Sequence, residues 1–224
     1  MSTIAILPFP LRPNLAGDAG AAEPVPSGEA ARAMQTLSDR ALMERVARGD
    51  ADAFAALYRR YERPLFAVLL RLSGRRALAE EWLQETFIRV WLAAGTHDPA
   101  RGPVRPWLYK IALNTARSQM ALKRYRTAHV SLEEAGLDLP DERAGETRVA
   151  ARLDEARRAD AVAGALQRLP DYMREVIVLR CSRELSFAEI AEVTGAPQGT
   201  IKSRFHRAVV ALRRALRGKG GVAR

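Results

Sequence analysis

A single cysteine in 224 residues, Cys181, excludes an intramolecular disulfide framework and any metal site built from several thiolates. Cys181 itself reads as a small core residue of the apolar stretch REVIVLRC. The only histidines, His97, His129 and His206, are scattered, and neither a nucleophile elbow nor a phosphate-binding glycine loop occurs. The chain therefore does not read as an enzyme, and neither a metal nor a cofactor is expected. No run of about 18 apolar residues is present to cross a bilayer. The early stretch IAILPFPL is too short, too broken by proline and too poor in leading charge to serve as a secretory signal. A soluble cytoplasmic protein without membrane insertion is the expectation. Strand-like alternation is also missing, which leaves an all-α fold class.

What the chain has in excess is positive charge: 36 Lys and Arg against 26 Asp and Glu, a net charge of +10. Such an excess points to a nucleic acid or an anionic membrane surface. Its distribution along the chain defines the organisation. Residues 1–33 are rich in Ala, Pro and Gly with few large apolar side chains, and form a disordered N-terminal extension. Glu133, Glu134, Asp138, Asp141, Glu142 and Glu146 crowd into residues 127–158, an acidic linker. Two small helical domains, 34–126 and 159–217, remain on either side of it, and 218–224 is a basic tail.

In the first domain Ser38 and Asp50 are N-caps, Gly49 and Gly74 are helix stops, and Pro64 restarts or kinks the chain. The next helix, 76–94, buries Ala79, Leu83, Phe87, Val90 and Ala94, with Trp91 at the margin. Its far side carries Leu78, Glu81, Glu85 and Ile88, with Gln84 at the edge. Acids interleaved with aliphatics there form either a docking surface or an ordinary polar face bearing two stray apolar residues. A further helix, introduced by Pro103 and Pro106, turns Leu108, Ile111, Ala112 and Leu122 inward. Lys110, Asn114, Arg117 and Arg124 recur along its other side. Seven Lys or Arg and no acid occur between Pro99 and Arg126, whereas solvated faces ordinarily mix signs. Trp107 and Tyr109 at the start of this helix either support unstacked bases or belong to the core.

The second domain contains SFAEIAEVTGAPQGTIKSRF. Ser186 and Glu189 make a capping box for a short helix whose apolar side is Phe187, Ile190, Ala191 and Val193, and Gly195 permits a sharp turn. In the helix that follows, Ile201, Phe205, Ala208 and Leu212 fall in one line. Gly199, Ser203, His206 and Val210 lie opposite, flanked by Lys202, Arg207, Arg213 and Arg214. Eight Lys or Arg and no acid follow Gln198. Capped helix, glycine turn and basic amphipathic helix together describe a helix-turn-helix whose second helix reads the DNA major groove. A plain helix-turn-helix repressor or activator would account for this half, but not for the Glu81 face or the Asn114 helix.

In this order, GDADAFAALYRRYERPLF, EEWLQETFIRVWLA, HDPARG, RPWLYKIALNTAR, ALQRLPDYMREVIVLR and LSFAEIAEVTGAPQGTIKSRFHRAVVALR resemble the extracytoplasmic-function (ECF) group of bacterial sigma factors. The resemblance implies a sigma domain two and a sigma domain four that recognise the minus-10 and minus-35 promoter elements on core RNA polymerase. It implies contact with the β′ clamp and β subunits, the clamp contact falling on Leu78, Glu81, Gln84, Glu85 and Ile88. It places a pocket for a flipped minus-10 base at Asn114, with Lys110, Arg117, Trp107, Tyr109 and Arg124 around it. Minus-35 contacts fall on Thr200, Lys202, Ser203, Arg204, His206, Arg207 and Arg213. The acidic linker would lie in the path of nascent RNA, and an anti-sigma factor would be the controlling partner. A sigma mimic that sequesters such a regulator would keep the partner surfaces without needing these DNA contacts. Four positions depart from the pattern: Trp82 replaces an aliphatic residue of the clamp helix, Pro106 a small residue, Ser118 a frequent acid and Cys181 a common Tyr.

Overall fold

The computed structural model describes residues 34–129, 159–181 and 185–217, and of residues 123–129 the backbone only. The extension 1–33, residues 130–158 of the acidic linker and the basic tail 218–224 lie outside the described residues. All regular structure in the described residues is helical.

Helix α1, Asp39–Val46, starts where Ser38 Oγ accepts the Ala41 N–H at 3.2 Å, and it buries Leu42, Met43 and Val46. Helix α2, Ala51–Ser73, begins on Asp50, whose carboxylate accepts from the Ala53 N–H at 2.9 Å and from Arg45 Nε at 2.6 Å. It ends on Gly74 in the left-handed conformation. Pro64 does not restart the chain in a new element, because α2 runs on through it. A mid-helix proline costs about 3 kcal/mol. Burial of Tyr61, Leu65, Val68 and Leu69 around it offsets that cost. Asp39 ties α1 to α2 by accepting from Arg60 and from the Tyr61 hydroxyl. Burial, then the Asp39 hydrogen bond, pushes the Tyr61 hydroxyl well above its ordinary value.

Helix α3, Arg76–Ala93, packs along α2, with Phe54 edge-on to Phe87 at 6.1 Å and to Trp91 at 5.1 Å. Its expected core residues are buried, and so is Trp91. Trp82 is 3% exposed, so the departure at this position is a core substitution and leaves the outward face unchanged. A single turn of 3-10 helix, Ala94–Thr96, leads to α4, Val104–His129, which runs three residues past the expected linker boundary.

The second segment comprises α5 (residues 159–167), α6 (Asp171–Cys181), α7 (Phe187–Thr194) and α8 (Gln198–Arg217). α6 packs against α8, while α7 lies on α4 and α6 on α2, so one continuous apolar cluster joins both segments. Six consecutive residues of α6, Arg174 to Leu179, are buried, the pattern of a helix covered all round. Buried Arg174 is compensated by Asp171 and by Gln167 Oε1 at 2.7 Å. Cys181 corrects its expected place in the core: it ends α6 beyond the buried run and is exposed.

The capping box of α7 is present in both directions, with Ser186 Oγ accepting the Glu189 N–H at 3.2 Å and Glu189 Oε2 accepting the Ser186 N–H at 2.7 Å. Ser186→Ala removes one of the two bonds and should cost about 1 kcal/mol. Thermal unfolding followed by circular dichroism should show a midpoint a few degrees lower, with unchanged helicity at the start of the transition.

Candidate nucleic-acid and docking interfaces

The helix-turn-helix is held open by its own backbone. Gly195 sits at φ 73°, where a side chain would be strained, and its N–H closes α7 on the Ala191 carbonyl at 2.9 Å. On α8, Ile201 and Ala208 are buried and Phe205 meets Phe187 edge-on at 5.5 Å, which fixes the rotation of the helix. That rotation leaves Lys202, Ser203, His206, Arg207 and Arg213 exposed and Thr200 half-buried. Arg204 is directed elsewhere: its guanidinium lies 5.4 Å from the centroid of the Tyr172 ring on α6.

On α4 the expected set divides. Lys110 and Asn114 are exposed, as a DNA-facing stripe requires. Tyr109 is fully buried and is withdrawn from any role in stacking on bases. The reason is that α4 is covered from two sides, by α3 and by α7, so its buried arc takes in Leu108, Tyr109, Ala112, Leu113 and Ala116. Leu122, expected inside, is 49% exposed because its turn of α4 has lost that cover. Trp107 is half-buried and meets His97 edge-on at 5.4 Å, a surface-connected position. The Arg124 side chain lies outside the described residues.

Arg117 is engaged rather than open. Its Nε donates to Glu175 Oε1 at 2.9 Å and its Nη2 to Glu175 Oε2 at 2.7 Å, a two-pronged pair across to α6. The Glu175 hydrogen bond outweighs burial and holds the guanidinium above its ordinary value. Arg105, at the start of α4, donates to Glu189 Oε1 at 2.7 Å on α7. Burial pushes the Glu189 carboxyl up, but the bonds from Arg105 and Ser186 win and hold it below the usual glutamate value. Glu175 and Glu189 escaped sequence reasoning as partners of these arginines, since spacing shows Glu189 only as the capping-box partner of Ser186 and carries no signal of contacts 58 and 84 residues away.

On α3, Glu81 and Gln84 are exposed, and Glu85 is half-buried with Arg89 Nε at 2.7 Å. Ile88 is half-buried, and Leu78 leans onto the core, so the aliphatic part of this face is narrower than expected at its start. At its end it is longer. Leu92, 56% exposed, continues the 78, 81, 85, 88 series by one more turn, a position that helical spacing alone would have found.

Among the described residues no group of three or more His, Cys, Asp or Glu is placed to hold a metal ion. None of their helices is long and apolar enough to cross a membrane.

Residues 57–126 match the family model for Sigma-70 region 2, and residues 165–214 that for Sigma-70, region 4. The ECF RNA polymerase sigma factor SigK of Mycolicibacterium vanbaalenii is 31% identical over 194 residues, covering 84% of this chain and 95% of the relative. The ECF RNA polymerase sigma factor SigW of Bacillus subtilis strain 168 is 32% identical over 179 residues, covering 78% and 95%. Among solved structures, CnrH in complex with the cytosolic domain of CnrY aligns at a TM-score of 0.59 and 30% identity, over 80% of this chain and 97% of that one. With both regions matched in their expected order, and relatives aligned along almost their whole length, the chain belongs to the ECF group of RNA polymerase sigma factors.

Proposed function

We propose that this chain docks on core RNA polymerase through α3, reads minus-35 duplex DNA with α8 and opens the minus-10 element on α4. Directing promoter-specific initiation in this way is the work of an ECF sigma factor, carried out in the cytoplasm, with an anti-sigma factor to restrain it. The observation that carries this assignment is the pairing of two exposed, acid-free helix faces, on α4 and α8, with a separate acidic and aliphatic face on α3. Two DNA-facing stripes on one chain suit two promoter elements, and the α3 face suits a basic protein partner. The domain limits 34–126 and 159–217 belong to this proposal.

The mechanism is binding and strand opening, without covalent chemistry or a catalytic residue. Extruding a base from a duplex costs a few kcal/mol, which a fitted pocket offsets. Asn114 suits such a pocket because its amide both donates and accepts. Lys110 holds the backbone beside it, a contact that positions the strand without reading it. On α8, Lys202, Ser203, His206 and Arg207 face the groove together, and each good base contact contributes roughly 1 to 3 kcal/mol of discrimination.

Transcription in vitro from a promoter library, with core polymerase and this chain as the sole sigma factor, tests the whole reading. Enrichment of promoters sharing both elements is the expected result, and transcription indistinguishable from core alone overturns it. Asn114→Ala should leave polymerase binding intact and lower open-complex formation by about tenfold, as loss of one charge-free contact to an extruded base would. Permanganate footprinting reads this directly, and undiminished opening with unchanged minus-10 preference would remove Asn114 from its role.

A further inference from the structure

The stripe Lys110, Asn114, Arg117 on α4 is interrupted by the chain's own second segment. Arg117 lies next to Lys110 and Asn114 around the helix, yet its guanidinium is clamped on Glu175 of α6. Arg105, in the first turn of the same helix, is clamped on Glu189 of α7. These partners are 58 and 84 residues away in sequence, so both bonds join the two segments. Two further contacts lie on the same seam. Glu192 of α7 approaches Gly102 so closely that a Cβ there would meet its Oε1 at 2.9 Å. Gln167 Nε2, on α5, donates to the Arg71 carbonyl at 2.9 Å.

A carboxylate on a guanidinium presents the charge and the fork geometry that a DNA phosphate would present. We infer that Glu175 and Glu189 occupy the phosphate positions of α4, forming an intramolecular clasp that holds the free chain closed and excludes a single strand from the minus-10 stripe. This rests on the minus-10 reading of α4. The chemistry of the seam favours a reversible latch. Glu175 is 5% exposed in the closed form, and both carboxylates and both guanidinium groups regain full solvation when the segments part. Opening also uncovers the apolar contacts of α7 on α4 and α6 on α2, and the recovered solvation of these four groups offsets part of that cost. DNA phosphates compete for the same two arginines, so strand capture draws the equilibrium toward the open form.

The test uses the full chain with Glu175→Gln and Glu189→Gln combined. Glutamine keeps the capping box of α7 while removing the charge that faces Arg105. Removing two acids also raises the net charge, so Glu44→Gln with Glu80→Gln serves as the control. Those residues pair with Arg40 and Arg76 within their own helices, away from the seam. Affinity for an oligo-dT single strand is read by fluorescence anisotropy, and the radius of gyration by small-angle X-ray scattering. The clasp variant should be larger than the parent and bind the strand about tenfold tighter than the control variant, as expected if about a tenth of the parent is open. The parent itself should expand as salt rises from about 0.05 to 0.5 M, which screens the pairs without any substitution. Equal radii for parent and clasp variant, with strand affinity equal to the control, overturn the clasp. If the clasp variant fails to fold, the salt series decides: a parent of constant radius overturns the inference. Capture of core polymerase by the parent is measured on the same preparations. Normal capture with a failed clasp separates this inference from the functional reading, which fails only if capture itself is absent.

Discussion

Glu81→Arg combined with Glu85→Arg is expected to lower affinity for core polymerase by about two orders of magnitude, close to 3 kcal/mol, by setting like charge against a basic partner. The folded chain should tolerate the change. Glu81 is exposed, and Glu85 is half-buried on the side of α3 opposite Leu83 and Phe87. Only the Glu85–Arg89 pair is lost, and an arginine in its place adds an i,i+4 repulsion of a few tenths of a kcal/mol. Competition against the labelled parent for core polymerase measures the effect, with circular dichroism confirming the fold. A folded double variant that competes as well as the parent would show that α3 docks elsewhere. In that case Leu92 and Ile88, at the other end of the same face, become the first positions to substitute.

Arg207→Ala and Arg213→Ala should separate reading from holding on α8. Arg207 is exposed beside Ser203 and His206, and its Nε reaches only as far as the Ser203 carbonyl at 3.4 Å, a contact it gives up easily for a base edge. Arg213 is exposed almost two turns later, where a helix entering a groove by its N-terminal half has left the bases for the phosphates. Loss of the Arg207 side chain should cost about 1 to 3 kcal/mol, roughly 5- to 150-fold, and flatten preference at particular minus-35 positions. Loss of Arg213 should weaken all sequences alike and reduce the salt slope by roughly one unit. Holoenzyme binding to a set of single-base promoter variants at several salt concentrations distinguishes the two. Uniform weakening by the Arg207 change, or altered base preference from the Arg213 change, would reverse the assignment. Arg204 should behave as neither, because its guanidinium is spent on Tyr172 and its loss falls on the α6–α8 contact.

The closed arrangement gives Arg117 two roles in sequence. In the free chain it is the part-buried half of an ion pair with Glu175, and under the proposed clasp it becomes a phosphate contact next to Asn114 on a promoter. A residue with two partners of the same chemistry is how a competitive latch is built, and the proposed clasp would account for an acid-free α4 facing a buried acid on α6 and a half-buried one on α7.

What the sequence by itself determined were the features that act over a few residues. Ser38, Asp50 and Ser186 cap, Gly74 and Gly195 stop, and the line of Ile201, Phe205 and Ala208 orients α8, because hydrogen bonds within one turn and a 3.6-residue period need no distant partner. The free faces of α8 and α3 were legible for the same reason. Tertiary structure decided how wide each buried arc becomes and where long side chains go. Tyr109 is buried because a second helix, α7, covers α4, and Trp82 because α3 is covered around more of its circumference than its own apolar stripe implies. Leu122 and Cys181 are exposed because cover runs out where their helices leave the cluster. Arg117 finds Glu175 across 58 residues, and Arg105 finds Glu189 across 84. A helical wheel gives the direction in which a side chain leaves its axis, but the partner it meets is set by the packing of the other helices, and that is a property of the folded chain as a whole.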